Sequence, residues 1–458
     1  MHDRRLPPRH YKSRFSFILV ASLAIPIGQR VAPTPPPQQN ARDLSGEWQF
    51  WRRTLTGPGA GTDFVLRLSI VRRGDSLLAS APNGLKMAAR ASTGDSVQWR
   101  GIAADGRTPM EVALRWSGDS LVGTGVAGAV KGLAWLVRDP VRRAGAPTRH
   151  VYQPSVFQRV FSSSLPAVLR IFPGDTVKTE TLDAGGRDST GTSRSPGGNP
   201  LTGPFWIQGA LPGDVVVVHL LRVRTNRTTA FSGSELSWNA INPQYITEYK
   251  EAADTGSSWT IDTSAGVARL IASGGALRGY TIPLKPMLGC IGLAPPAFNR
   301  PETRSSGSPG SWGGNMDYNR VVEGTTVYLQ VWQPGAFLFI GDGHAAQGDA
   351  ELTGSGLETS MTVEFSVQLL RTKRIGFPRL EDSTDIMSVG IGGSIELAFQ
   401  FATTSLARWL ETDYKLTRSE AAIVMGTAAQ YDIAEVVDGD FNVVARLPKA
   451  ALRPIVRQ

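Results

Sequence analysis

Within the eleven positions 341–351 lie Asp342, His344, Gln347, Asp349 and Glu351, separated only by Gly and Ala. Carboxylates and imidazole are the side chains that bind hard or borderline divalent cations and carry protons. Small residues between them let the backbone turn tightly enough to bring them together. Asp342 and His344 are two positions apart, so on an extended segment both point to the same side. Elsewhere the usual protein nucleophiles are missing. There is no G-x-S-x-G elbow, the single Cys290 sits in an apolar run that reads as a buried, inert thiol, and the serine-rich stretch 305–311 reads as a flexible loop. Were the chain a hydrolase, that would leave a metal-activated water as the nucleophile. The chain has five histidines, and His2 and His10 fall in a segment read below as a removable leader. A three-histidine zinc site would need all of His150, His219 and His344. One histidine with two or three carboxylates is the more natural donor set, compatible with zinc, manganese or calcium.

The elements that must hold this cluster are strands. Residues 327–332 and 336–340 read as two buried strands with Pro334 and Gly335 at the turn, which sets the polar cluster at the end of a rigid strand. From 150 to about 375 the chain is strand-rich, interrupted by long polar loops at 185–199 and 301–315 that are candidates for function. After 394 it turns helical, with apolar residues at helical spacing to 410 and a capped second helix starting near 416. A final hairpin is read from 433–437 and 443–447. Residues 43–139 differ in character: Phe64, Leu66, Leu68 and Ile70 alternate along one strand, and Gly-Asp hairpin turns recur near 74 and 118. Trp48, Trp99 and Trp116 there read as core. The fold class is therefore mainly β: a small N-terminal antiparallel β-barrel or sandwich with a lipocalin-like pattern, then a β-sandwich-rich domain with a helical C-terminal part.

Length and charge bound the rest. At roughly 150 residues per domain, 458 residues imply two or three domains. The net charge of +9 comes from scattered Arg and a basic N-terminus, not from basic runs interleaved with aromatics, so nucleic acid is not a predicted partner. Arg4, Arg5, Arg9, Lys12 and Arg14 precede an apolar stretch too short to span a bilayer, which reads as a secretory signal over 1–28. The predicted organisation is that signal, a Pro/Gln-rich linker over 29–42, the small β domain over 43–139, a basic linker over 140–149 and the main domain over 150–458. Export to the periplasm or exterior follows, with an uncleaved N-terminal anchor and a homo-oligomer left open. A chain starting near 148 is expected to fold by itself.

Several blocks, in order, resemble the acetamidase/formamidase family. They are Pro173-Gly174-Asp175, Glu180 to Ala184, Asn199 to Pro204, Gly209 to Asp214, Gly289 to Pro295, Gly313-Gly314-Asn315-Met316-Asp317, and the 341–351 cluster itself. Each alone is a weak turn signal; together they cover 173–351. Ala350 stands where the family usually has Gly, and its extra methyl is expected to shift Glu351. The resemblance implies an amidase-like domain over 150–458 that releases ammonia from a small amide such as formamide or acetamide. It also implies a divalent metal, zinc first and calcium or manganese next, held by His344, Asp342, Asp183 and Asp317. Glu351 or Asp349 would be the general base, or Glu180 in that role. Asn315 and the backbone N–H groups of Gly313 and Gly314 would stabilise the oxyanion. Asp175 and Asp214 read as turn carboxylates. An amidase for a larger amide, or a secreted binding protein with this fold and no catalysis, are the alternatives.

Overall fold

The computed structural model describes residues 43–90, 95–140, 145–248, 256–271, 275–297, 302–453 and 455, so the leader and the Pro/Gln-rich linker lie outside the described residues. Alternation of apolar and polar residues folds the first part into eight antiparallel strands: β1 (Gly46–Thr56), β2 (Asp63–Arg73), β3 (Ser76–Ser80), β4 (Lys86–Arg90), β5 (Ser96–Ile102), β6 (Pro109–Ser117), β7 (Ser120–Ala127) and β8 (Val130–Arg138). Each pairs with the next and β8 closes on β1, so the sheet is a barrel and not a sandwich. Eight strands enclose just enough space for side chains. Trp48, Phe50, Leu68, Ile70, Trp99, Val112 and Leu136 fill it, with Trp116 packed alongside. The β2–β3 and β6–β7 turns are the Gly-Asp pairs of the sequence. Gly74 and Gly118 have φ of 57° and 60° while the aspartates after them stay at negative φ, the pattern of a II′ turn.

The second part is a β-sandwich. A nine-stranded sheet includes Thr176–Glu180, Val215–Thr225, Thr326–Gln330, Met361–Leu370, Asp385–Gly392 and Phe441–Pro448. Against it lies a five-stranded sheet in the order Leu169–Ile171, Leu201–Ile207, Leu338–His344, Met287–Gly292, Gly313–Asn315. Alternate residues such as Val216, Val218, Leu329 and Phe365 from one sheet meet Phe205, Leu288, Ile291, Leu338 and Ile340 from the other in one dry core. The Phe205 and Phe365 rings cross it edge to face at 5.4 Å. The two strands flanking Pro334 and Gly335 are not paired with each other. They belong to different sheets, and the turn carries the chain across the sandwich. The second strand also runs on to His344, so Asp342 and His344 lie within it rather than beyond its end. The helix Ile395–Asp413 is capped by the Ser394 side chain, and the helix Arg418–Ala428 by a Thr417/Glu420 capping box. The closing hairpin pairs Gln430–Glu435 with Phe441–Pro448.

Barrel and sandwich pack into one unit, Leu44–Gln458. The contact is polar and buried. Gln49 and Arg67, opposite each other on β1 and β2, both face outward onto Asp139. The Arg67 guanidinium also donates to both carboxylate oxygens of Asp214, at 3.1 and 3.2 Å, and to the Gly209 carbonyl at 2.7 Å. Removing one partner from a buried ion pair leaves the others uncompensated, which typically costs about 3–5 kcal/mol. Arg67→Ala is therefore expected to lower the unfolding free energy by about 3 kcal/mol in urea titration. A loss below about 1 kcal/mol would show that the barrel is held by something other than this network.

Candidate functional site

The five-stranded sheet assembles the site by register. Asn315 faces Cys290 and Cys290 faces Gly341, so the edge strand, its neighbour and the strand bearing Asp342 and His344 line up in one row. Gly289, in the middle strand, has to be Gly. A Cβ there would lie 2.3 Å from Asp317 Oδ1 and 2.7 Å from Asp342 Oδ2, so this gap is what lets the two carboxylates approach. Glu358 arrives from the other side through a backbone bridge to His344, followed by the strand Met361–Leu370. Glu351 is held in a short turn that starts at Asp349.

Asp317, Asp342 and His344 form one buried group, and His344, Glu351 and Glu358 another; in each, the potential ligand atoms lie within 4.8 Å of one another. His344 Nε2 is 3.0 Å from Glu358 Oε1 and 3.5 Å from Asp342 Oδ1. On its far side, Nδ1 meets Gln347 Oε1 at 2.7 Å, while Gln347 Nε2 donates to the Asp317 carbonyl. That orientation of the Gln347 amide keeps a proton on Nδ1, so the proton a metal would displace is the one on Nε2, which faces the carboxylates, the second-layer arrangement that prepares a histidine for a metal. Four enclosed atoms have no hydrogen-bond partner: Asp317 Oδ1, Asp342 Oδ1, His344 Nε2 and Glu358 Oε2. Lone pairs facing lone pairs in a dry space call for a cation. The donor set therefore fits a divalent metal, and this buried acid–histidine group could hold one.

The electrostatics agree. Burial raises Asp317 well above the ordinary carboxylate range, reinforced by Glu351 and Asp342. Burial likewise raises Glu351, against the pull of His344, and Glu358. For His344 burial acts downward, but Glu358 and Asp342 outweigh it and hold the imidazole well above its usual value. A cation binding there must displace that proton. Glu351 is buried with no hydrogen bond recorded to its carboxylate among the described residues, so it is the acid free to exchange protons.

Of the residues expected from sequence, Asp317, Asp342, His344 and Glu351 come together. Asp183 does not join them: its carboxylate is taken by Arg227 at 2.6 Å and by the Arg187 N–H. Asp349 is exposed and accepts from Asn319. Glu180 stays half-buried on its strand, outside both groups. Asn315 has both amide hydrogens engaged, by Asp317 Oδ2 and Asp438 Oδ2, while its Oδ1 accepts from Asn199 and Cys290. It positions acids and has no hydrogen left for an oxyanion. The Gly313 N–H is bound to the Gly310 carbonyl. Cys290 is fully buried, and burial with Asp342 and Asp317 nearby raises its thiol well above normal, which removes the thiolate. His150 faces Asp175 and His219 faces Thr326, both away from the cluster. Ala350 keeps a glycine-like turn at φ 67° despite its methyl, and Asp317, Asp342 and Glu351 are also left-handed, at 43°, 55° and 48°. Such strained positions gather at sites where a side chain must be aimed.

Sequence reasoning missed Glu358, Asp438 and the roles of Asn199 and Gln347. Asn199 donates to Asp342 Oδ2 at 2.9 Å as well as to Asn315. Asp438 is brought in by the turn of the closing hairpin, where Asp-Gly reads only as turn chemistry. Glu358 precedes an ordinary alternating strand and carries no local signal.

The comparisons bear on what such a site is for. Residues 302–381 match a family model described as the Acetamidase/Formamidase family. A formamidase from Methylophilus methylotrophus is 26% identical over 260 residues, 45% of this chain and 62% of that protein. A putative formamidase from Schizosaccharomyces pombe is 27% identical over 279 residues, 48% of this chain and 65% of that protein. The chain thus spans a little under two thirds of these curated relatives. Among solved structures, an acetamidase from Yersinia enterocolitica superposes with a TM-score of 0.58 at 26% identity, covering 67% of this chain and 93% of that one. An acetamidase from Bacillus halodurans gives 0.57 at 25%, covering 67% and 99%. Family model, relatives and solved structures together support the acetamidase/formamidase resemblance and, at this modest identity, suggest an amide hydrolase.

The hairpin that delivers Asp438 rests on Glu435, whose Oε2 accepts the Val437 and Asp438 N–H groups. Burial, with Asp438 beside it, pushes the Glu435 carboxyl up to about 8. The folded protein then holds a proton that the unfolded chain releases, so stability falls as pH rises from the ordinary carboxylate range through that value. Glu435→Gln can keep both N–H contacts through its amide oxygen. It is expected to remove the fall, gaining on the wild type by on the order of 1–3 kcal/mol from about pH 5 to about pH 8 in urea midpoints. Parallel pH profiles for the two proteins would show that Glu435 ionises normally.

Proposed function

We propose that this chain hydrolyses a small linear carboxamide, of the formamide or acetamide type, to a carboxylate and ammonia. The observation that supports the reading is two overlapping buried groups, Asp317/Asp342/His344 and His344/Glu351/Glu358, with carboxylate oxygens of Asp317, Asp342 and Glu358 left without a hydrogen-bond partner. Asp317, Asp342, His344 and Glu358 would hold a divalent cation. Zinc suits a histidine-plus-carboxylate set best, with manganese and calcium next. Bound there, such an ion supplies Lewis acidity, polarising a carbonyl oxygen and making a water more acidic.

The chain's own residues do the rest. Gln347 fixes the His344 tautomer. Asn199 and Asn315 orient Asp342 and Asp317 by donating amide hydrogens to them. Glu351 takes the proton from the attacking water and returns it to the departing amine. Its burial raises its affinity for that proton, as one group acting first as base and then as acid requires. The filled barrel contributes no residue to this chemistry. Export by the N-terminal segment and a homo-oligomeric state belong to the same proposal and rest on the sequence alone.

Ammonia release from formamide and acetamide by the purified protein, with metal content measured alongside, tests the reading. A chelator is expected to abolish activity and added zinc to restore it. His344→Ala should lose both metal and activity. Glu351→Gln should keep the metal and lose about 10²–10⁴-fold in turnover, the usual worth of a general base. Cys290→Ala should stay active. A folded but inactive Cys290→Ala protein, or full activity in metal-free protein, would overturn the proposal.

A further inference from the structure

On the outer face of the nine-stranded sheet, the C-terminal end of the helix Ile395–Asp413 lies beside the strands Thr326–Gln330 and Arg379–Glu381, and a cavity of about 420 Å³ opens between them. That is within the range of small-molecule sites. No residue of the acid–histidine centre lines it.

Arg379, 3% exposed, lines this cavity. Its guanidinium has no hydrogen bond or ion pair among the described residues, and its enclosed Nε has no partner. Its one close contact of note is the Trp409 ring, 4.8 Å away. A cation–π contact offsets only part of the cost of burying a cation. Burial pushes Arg379 down to about 10, so it remains a cation at neutral pH.

The neighbouring acids meet this charge only through space: Asp413 acts on Arg379 without a direct hydrogen bond or ion pair to it among the described residues. Asp413 is paired with Lys373 at 2.5 Å. Glu381 is paired with Lys449 at 2.6 Å and accepts from the Tyr328 hydroxyl. The cavity wall thus carries a buried guanidinium with no direct hydrogen-bonding partner among the described residues, and the ligand that would satisfy it is an anion. The nearby Asp413 and Glu381 carboxylates would repel a dianion. Leu370, Ile375 and Trp409 offer an apolar wall for a carbon skeleton. We propose that this cavity binds an organic monocarboxylate, its carboxylate on Arg379 and its apolar body against Trp409.

The probe is benzoate, titrated into the full-length protein by calorimetry and by tryptophan fluorescence, with inorganic phosphate as competitor. One saturable site per chain is expected. Arg379→Met should weaken binding by about tenfold or more, the loss of a charge-assisted, two-pronged contact, without lowering the melting temperature, since it removes an unpaired buried charge. His344→Ala should bind benzoate as the wild type does. If Arg379→Met does not fold, Arg379→Lys keeps the charge but not the fork, and should bind more weakly at an unchanged melting temperature. Absence of binding, binding that either Arg379 variant leaves unchanged, loss of binding in His344→Ala, or displacement by phosphate at concentrations equal to or below that of benzoate would each overturn the assignment.

Discussion

Mutual repulsion among Asp317, Asp342, Glu351 and Glu358 is the constraint to which the centre of this molecule answers. In a dry site no two of these carboxylates ionise without a positive partner nearby. Among the described residues, no Lys or Arg is ion-paired with any of the four. The available guanidinium, Arg227, is committed to Asp183 instead. Apart from His344, which Glu358 and Asp342 hold as a cation, the side chains donating to these acids are neutral: the Asn199 and Asn315 amides, with the Gln347 carboxamide behind His344. Neutral donors orient carboxylates without cancelling their charge, so the attraction for a cation or for protons is preserved. A lysine placed there would satisfy the acids and end that attraction.

Holding repelling groups together requires a frame that cannot relax. The sandwich provides one: Asp342 lies within a strand, Asp317 just beyond another, Glu358 is bridged to His344 and Glu351 sits in a short turn, and the strands are registered to one another. Relief by moving Asp342 away would break the ladder it shares with Met287–Gly292. Relief by moving Glu358 would break its bridge to His344. The left-handed backbone at Asp317, Asp342, Ala350 and Glu351 shows where that frame has been bent to aim side chains inward. Left-handed conformations typically cost about 1–2 kcal/mol for residues with a Cβ. At Ala350 the turn is kept in spite of its methyl, which is why Glu351 still reaches the cluster.

Much of this could be read from the chain. Hydrophobic alternation marked the barrel, Gly-Asp pairs marked its turns, apolar residues at helical spacing marked the first C-terminal helix, and the capping residues near 416 marked the start of the second. Asp342 and His344 were legible because their spacing of two is a strand's own period. Glu358 and Asp438 were not, because their roles come from pairings between distant segments, and locally one is a strand lead-in and the other a turn. Asp183 misled for the mirror-image reason: an acid in the right kind of block can still be claimed by an arginine 44 positions later, and nothing in the chain's order announces that pairing.

The treatment of buried arginines shows how consistently this protein balances charge away from the centre. Arg67, 7% exposed, is met by two carboxylates and a carbonyl. Arg227, 8% exposed at the side chain, is met by Asp183. Arg379 is more enclosed than either, yet the two acids that share its cavity are ion-paired with Lys373 and Lys449, and Asp413 acts on Arg379 only through space. Pairing those acids with lysines rather than with Arg379 keeps the guanidinium's charge available to the cavity. In the acid–histidine cluster the sign is reversed: there, among the described residues, the acids have no Lys or Arg partner and only His344 beside them. In both places enclosed polar atoms are left without a hydrogen-bond partner.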